Sequence, residues 1–127
     1  MYEITGKKQL SDTIMMMEVK AERVAKSCLP GQFVIVKIDE IGERIPLTIC
    51  NYSKEAGTVT IVFQIVGAST QRMAALEVGD YFRDFVGPLG KYCEWIDEVK
   101  ADSFRKRVLF VAGGVGTAPV YPQVKWL

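Results

Sequence analysis

The stretch TVTIVFQIVGASTQRMAALEVGD, residues 58–80, decides the fold. Its first nine residues carry a large apolar side chain at every second position, which is the period of a β-strand with one buried face. These side chains are Val59, Ile61, Phe63 and Ile65. We therefore predict a β-strand here.

The strand leads directly into a short helical segment. In GASTQRMAALEVGD, residues 67–80, Ser69 or Thr70 can act as the helix N-cap and Gly79 can stop the helix. The first N–H groups of a helix have no acceptor within it, so a helix entered straight from a strand offers an anion site. We therefore predict an anion-binding helix start at this point.

Five further runs have β character, and turn residues separate them. They are YEITGKKQL, TIMMMEVKA, QFVIVKI, RIPLTICNY and DYFRDFVG. The connecting SD, LPG, DEIGE and KEAG supply the Gly, Pro and Asp that tight reversals use. Six short strands and one short helix predict an all-β antiparallel barrel or sandwich over residues 1–101.

After a charged segment the pattern changes, and we predict a domain boundary at residues 101–106. Residues 108–111, VLFV, are an apolar run typical of a strand buried on both faces of a parallel sheet. The three glycines of the following AGGVGTAP let a backbone approach a phosphate, and Pro119 suits the first turn of a helix. A strand-to-helix turn that binds nothing is the alternative interpretation. Residues 107–127 thus predict the first strand and helix start of a nucleotide-binding domain.

A parallel strand cannot bury itself without neighbouring strands and helices, so we expect the chain to be a fragment of a longer protein. We expect the barrel to fold alone. The tail should pack on the barrel, pack on a second copy of the chain, or be disordered.

Composition excludes several kinds of chemistry. The chain has no histidine, which excludes Ser-His-Asp and Cys-His catalysis, and its three cysteines lack C-x-x-C spacing, so we predict no metal site. A net charge of +1 without a basic stripe predicts no nucleic-acid partner. Apolar runs are shorter than the roughly 20 residues of a membrane helix. The N-terminus lacks a signal-peptide apolar region, so we expect a cytoplasmic protein without a membrane partner.

In RIPLT, residues 44–48, Arg44 and Thr48 fall on one face of a strand. The guanidinium can pair with a phosphate, and the hydroxyl can form a hydrogen bond to a ring. Taken alone, this pattern is more typical of a surface arginine and a threonine with β propensity.

The order of PGQF, RIPLT, FQIVGASTQRMAAL, GPLGK and VLFVAGGVGTAPVYP resembles that of the ferredoxin–NADP reductase superfamily over essentially the whole chain. The resemblance implies a six-stranded Greek-key FAD-binding barrel followed by an NAD(P)-binding domain. The motifs are most similar to the small FAD subunit of NADH-dependent ferredoxin:NADP oxidoreductase, or sulfide dehydrogenase. The electron-transfer subunit of dihydroorotate dehydrogenase B is the alternative, although it usually has Arg-Pro-x-Ser where this chain has Arg-Ile-Pro-Leu-Thr.

The resemblance also implies roles for individual residues. Arg44 would pair with the FAD pyrophosphate, and Thr48 would face the flavin ring near N5 as the catalytic residue, although its spacing departs by one residue from the family's Arg-x-x-Ser. The residues implied to border the rest of the flavin are Pro46, Leu47, Ile49, Cys50, Gln64, Ile65 and Val66. Those implied at the pyrophosphate are Gly67, Ala68, Ser69 and Thr70. Those implied at NAD(P) are Gly113, Gly114, Gly116 and Thr117.

The implied function is the FAD-binding part of a NAD(P)H-dependent flavin oxidoreductase that moves electrons between NAD(P)H and an iron–sulfur or ferredoxin partner. Its partners would include a larger catalytic flavoprotein or iron–sulfur subunit, and a homodimer of the fragment is a further expectation. We expect the fragment itself to be inactive, and a 2Fe–2S cluster only beyond Leu127. A flavin-free module that docks onto a larger catalytic subunit is the alternative from another class.

Overall fold

The structure of the chain is a computed structural model that describes residues 1–93, Ile96 and residues 117–126. The strands are β1 Tyr2–Gln9, β2 Ile14–Lys20, β3 Phe33–Lys37, β4 Ile45–Ser53, β5 Thr58–Gln64, β6 Tyr81–Phe82 and β7 Asp84–Leu89. The helices with described bounds are α1 Glu22–Ser27, α2 Ala68–Ala75 and α3 Thr117–Trp126. Each of the six predicted β runs contains a strand, and Arg83 divides the last run into β6 and β7.

The strands form one sheet in the order β6-β1-β2-β5-β4-β3-β7, and every pair is antiparallel. Only Arg83 separates the two edge strands β6 and β7, so the sheet curls until its edges meet in one segment of chain. The N–H of Arg83 donates to the carbonyl oxygens of Lys37 and Ile38, at 2.9 and 3.2 Å, and so leaves the regular ladder. The predicted Greek-key barrel is confirmed, with seven strands in place of six because of this interruption.

The barrel core follows from the predicted alternation. Ile61 on β5 pairs with Met17 on β2 and with Ile49 on β4, and all three side chains are at most 1% exposed. Burying a side chain of this size stabilises a fold by about 1.5–3 kcal/mol. Phe63 of the same strand is also buried, as the alternation of β5 predicts.

Helix α1 was not predicted. Its six residues make fewer than two turns, which is too short for a helical period to show in the sequence. Val24 and Ala25 are buried, and the helix contacts β4, β5 and β7, so its apolar side covers part of the core.

Helix α2 ends at Ala75, before the predicted stop at Gly79. Gly79 instead has a φ of +98° in the turn that leads to β6, and its N–H donates to the Ile4 carbonyl oxygen at 2.9 Å. The conformational freedom of glycine is therefore used in the turn and not in a helix cap.

Helix α3 begins at Thr117, and it packs on β4. The predicted domain boundary, the predicted strand 108–111 and the three glycines of the AGGVGTAP motif lie outside the described residues. None of the described helices is long and apolar enough to cross a membrane.

Candidate functional site

The outer face of β4 and β5 forms one wall of a cavity of about 340 Å³, and the first turn of α3 forms another. We call it the β4–β5 groove. It is lined by Pro46, Leu47, Thr48, Val62, Phe63, Gln64, Thr70, Ala118 and Pro119. None of these described lining residues has an ionisable side chain. The groove can therefore hold a planar ligand by packing and neutral hydrogen bonds, but its lining offers no acid or base.

The strand period explains which side chains reach this groove. Thr48 on β4 and Gln64 on β5 face outward, whereas Ile49 is 1% exposed and belongs to the barrel core. The side chain of Ile49, which the resemblance placed beside the flavin, therefore points away from the groove. Only its backbone is available to a ligand on the outer face.

A β-bulge lies in β4 at Cys50. Ile49 pairs with Ile61 and Asn51 pairs with Thr60, so Cys50 is the extra residue on the β4 side. Because of this bulge, the neighbouring residues Cys50 and Asn51 both line a second cavity. This cavity has a volume of about 500 Å³ and lies beside the groove. Val62 and Ala118 line both cavities.

The chemistry of Cys50 follows from its surroundings. Burial raises the pKa of the half-buried Cys50 thiol, so the neutral thiol is the favoured form at neutral pH. A neutral thiol is a poor nucleophile and a poor metal ligand. Cys50 therefore serves as a small apolar wall of its cavity.

The start of α2 differs in detail from the prediction. Its N-cap is Gly67, and neither Ser69 nor the hydroxyl of Thr70 occupies that position. Thr70 instead reaches back from the first turn: its Oγ1 accepts the N–H groups of Val66 and Gly67 at 2.9 and 3.0 Å and donates to the Gly67 carbonyl oxygen at 3.1 Å. The backbone N–H groups of Ala68 and of the residues that follow it in the first turn therefore lie at the N-terminal end of α2, where anions bind.

The loop between β3 and β4 places carboxylates close to α2. Ser69 Oγ donates to Oε2 of Glu43 at 2.8 Å, and Arg72 donates to Asp39. Desolvation raises the pKa of Asp39, but hydrogen bonds from Arg72 and from two loop N–H groups outweigh it, so the pKa is lowered. These exposed pairs fix the loop that leads into β4 against α2.

Arg44 stands at the end of that loop, directly before β4. Its Nη1 lies 3.5 Å from Oδ2 of Asp84, and its side chain is 60% exposed. The structure thus directs Arg44 toward β7, and its neighbour Glu43 makes the contact with α2. An ion pair that is this exposed and this long is weak, so the guanidinium is accessible to an anion.

The remaining implied site residues are dispersed. Ile65 packs against the core, and its N–H donates to the Thr13 carbonyl oxygen at 2.6 Å. Val66 is 72% exposed. The groove therefore unites five of the implied residues, namely Pro46, Leu47, Thr48, Gln64 and Thr70. Gly113, Gly114 and Gly116 lie outside the described residues, and Thr117 opens α3.

Sequence reasoning missed several residues at the site. Val62 faces the groove two positions before Gln64, and the period of β5 could have revealed it. Ala118 and Pro119 depend on how α3 packs, and Glu43 depends on how the loop folds against α2. These three carry no local signal for their place at the site.

No protein-family model matches the sequence. Among curated proteins, the chain is 58% identical over all of its 127 residues to an uncharacterized protein in the adh 3′ region of Clostridium beijerinckii, of which it covers 43%. It is 36% identical over 98% of its length to a dihydroorotate dehydrogenase B (NAD(+)) electron transfer subunit homolog of Thermotoga maritima, of which it covers 42%. The chain thus spans less than half the length of the curated relatives it matches.

Among solved structures, that of an NADH-dependent reduced ferredoxin–NADP oxidoreductase, described for flavin-based electron bifurcation, superposes with a TM-score of 0.72. The two are 35% identical over 74% of this chain and 34% of that one. The sequence and the barrel fold of this chain are therefore similar to those of a ferredoxin–NADP oxidoreductase, which supports the ferredoxin–NADP reductase superfamily.

Proposed function

We propose that this chain is the FAD-binding part of an electron-transfer flavoprotein that moves electrons between NAD(P)H and an iron–sulfur or ferredoxin partner. The β4–β5 groove is the single observation that carries the proposal, because it unites outward-facing hydroxyl and amide groups on two strands of a barrel of this superfamily. Its volume of about 340 Å³ is in the range of small-molecule sites.

The residues present fit a flavin dinucleotide. Thr48 and Gln64 can form hydrogen bonds to a planar heterocycle, and the groove is otherwise lined by Thr70 and by apolar side chains. Thr70 of α2 lines the groove, so the first N–H groups of that helix can hold a diphosphate, together with the exposed guanidinium of Arg44 once it leaves Asp84. Leu47 packs partly on the core, so it keeps the strand beneath the ring in place.

When bound, FAD supplies hydride and single-electron chemistry, and the protein supplies position and hydrogen bonds. Thr48 would donate or accept one hydrogen bond at the ring edge near N5. Pro46 would exclude water from the same face. The absence of ionisable side chains among the described groove residues fits this division, since the groove needs to orient the ring and not to exchange protons with it.

The whole protein's role extends beyond these residues. We propose that Gly113, Gly114, Gly116 and Thr117 approach NAD(P), that a 2Fe–2S cluster belongs to sequence beyond Leu127, and that a larger catalytic subunit or ferredoxin is the electron partner. We place the protein in the cytoplasm, as part of a redox enzyme. A homodimer of the chain stays a prediction.

The second candidate function is the electron-transfer subunit of a dihydroorotate dehydrogenase. It is favoured by the 36% identity to the dihydroorotate dehydrogenase B subunit homolog. Both candidates share the flavin site and differ in the larger subunit that receives the electrons. Co-purification of the intact protein with a glutamate-synthase-like flavoprotein supports the first, and co-purification with a dihydroorotate dehydrogenase supports the second.

The test of the shared site is a titration of the chain with FAD, followed by flavin absorption and fluorescence. We expect saturable binding, and a change in the bound flavin's spectrum and reduction potential when Thr48 is replaced by valine. Thr60→Val is the matched control, because Thr60 lies on the same outer face but lines only the second cavity. A chain that binds neither FAD nor FMN at micromolar concentration would refute the flavin site and leave the flavin-free docking module.

A further inference from the structure

Lys125, in the last turn of α3, joins that helix to β4. Its Nζ donates to Oδ1 of Asn51 at 2.6 Å and to the Tyr52 carbonyl oxygen at 3.5 Å. The same Nζ lies 5.8 Å from the centroid of the Tyr52 ring, within the range of a cation–π contact. We call this set of contacts the Lys125 latch. It fixes the end of α3 over one point of β4.

The bulge in β4 supplies the acceptor for this latch. In a regular strand Asn51 would face the core side together with Ile49, but the extra residue Cys50 turns Asn51 toward the outer cavity. Oδ1 of Asn51 also accepts the N–H of Tyr52 at 2.9 Å. The amide oxygen is therefore held in place before Lys125 contacts it.

The latch and the β4–β5 groove lie at opposite ends of one helix face. Ala118, Pro122 and Lys125 are spaced i, i+4 and i+7, which places them on the same side of α3. Ala118 is 7% exposed and lines the groove, and Pro122 is buried. At 1.5 Å of rise per residue, about 10 Å separates Ala118 from Lys125 along the helix axis.

The helix needs such an anchor. Pro122 has no N–H to donate to the Ala118 carbonyl oxygen, so one intrahelical hydrogen bond is missing within the first turns of α3. Helices of this length gain most of their stability from packing against other elements. Contacts at both ends of the buried face therefore decide whether α3 stays in place.

We propose that Lys125 is a positioning residue: the latch holds α3 so that Ala118 and Pro119 form a wall of the β4–β5 groove, and it thereby sets the affinity of the groove for its flavin. The flavin part of this inference rests on the proposed function, whereas the docking of α3 does not. Lys125 lines neither cavity among the described residues, so its effect on the ligand comes through the helix.

The experiment compares the full chain with Lys125→Met, Lys125→Arg and a control, Lys8→Met. Methionine keeps an apolar stem but cannot donate, whereas arginine can. Lys8 is exposed on β1 and has no ion pair in the described part of the chain. Amide hydrogen exchange of residues 123–126 measures the docking of α3, and titration with FAD measures the groove.

In Lys125→Met we expect exchange of these amides to be about tenfold faster, close to the lower end for the loss of one charge-assisted hydrogen bond. The Kd for FAD should rise by about three- to tenfold, because only part of that loss reaches the groove through the helix. Exchange of the β2 and β5 amides should not change. Lys125→Arg should restore both readouts to within about twofold of the wild type, and the Lys8→Met control should match the wild type.

Unchanged exchange in Lys125→Met would overturn the latch. Faster exchange together with an unchanged Kd for FAD would overturn the positioning role. A wild-type chain that binds no FAD would instead refute the proposed function, and with it the effect on the flavin, while the exchange data still decide whether the latch holds α3.

Discussion

Replacing Arg44 by alanine tests the proposed diphosphate anchor. The guanidinium is 60% exposed, and the nearest Asp84 oxygen is 3.5 Å away. An exposed ion pair of this kind contributes about 0.2–1 kcal/mol, so breaking the Arg44–Asp84 pair on ligand binding costs little free energy. Hydrogen bonds to charged groups contribute about 1.5–3 kcal/mol. The difference predicts a loss of about 1–2 kcal/mol in binding, or an increase of about 5- to 30-fold in Kd.

The assay is a titration of the wild type and Arg44→Ala with FAD and, separately, with ADP. ADP carries the diphosphate without the flavin ring, so it isolates the proposed anchor. Arg23→Ala is the matched control, because Arg23 is an exposed arginine on α1. We expect weaker binding of both ligands to Arg44→Ala, and a smaller dependence of its Kd on salt, since one phosphate contact is lost.

Thermal unfolding checks that the variant is folded, and a surface change of this kind should alter stability by less than about 1 kcal/mol. Equal affinity of the wild type and Arg44→Ala for ADP would refute the reasoning. The anchor would then consist of the α2 N–H groups alone. If ADP binding were unchanged but FAD binding were weaker, Arg44 would contact the flavin side of the ligand.

Three further predictions follow from the described contacts. Glu43→Gln removes a negative charge from the hydroxyl of Ser69 and should lower the Kd for FAD by about two- to fivefold; an unchanged or higher Kd contradicts it. Met73→Ala empties a fully buried position of α2 and should lower the free energy of unfolding in urea by about 2–5 kcal/mol; a loss below about 1 kcal/mol would show that α2 is poorly anchored. Burial raises the pKa of Cys28 from 9.0 to about 11. The stability that its neutral thiol contributes is therefore complete below pH 9 and is lost as the pH rises toward 11. The thermal midpoint of Cys28→Ala should fall less than that of the wild type between pH 9 and pH 11.

The strands could be predicted because β5 shows a period of two and the other five runs have β character and are separated by turn residues. Ile61 and Phe63 alternate with polar or smaller residues on β5, and the turn residues on either side limit the strand. The seventh strand could not be predicted, because Arg83 leaves the ladder only when the sheet closes and its N–H meets the carbonyl oxygens of Lys37 and Ile38. Hydrogen bonds that form only when the sheet closes into a barrel leave no pattern in the local sequence.

The outward-facing side chains of β4 and β5 at the site could also be predicted. The period of two places Thr48 and Gln64 on one side of neighbouring strands, and both line the groove. The same period should have assigned Ile49 to the core, and the resemblance to a family motif obscured this. A family motif assigns consecutive residues to one site. In a β-strand, consecutive side chains point to opposite faces of the sheet, so only every second one can reach that site.

The bulge at Cys50 shows why the other end of the site was not predictable. From the period alone, Asn51 belongs to the core side of β4, where an unpaired amide would cost free energy. One extra residue resolves this conflict by turning the amide outward, where Lys125 from a distant helix becomes its partner. The position of α3, and hence the wall that it contributes to the groove, thus depends on an irregularity that strand periodicity treats as an error. The shape of the cavity that a ligand would enter therefore depends on the bulge at Cys50 as much as on the regular part of β4.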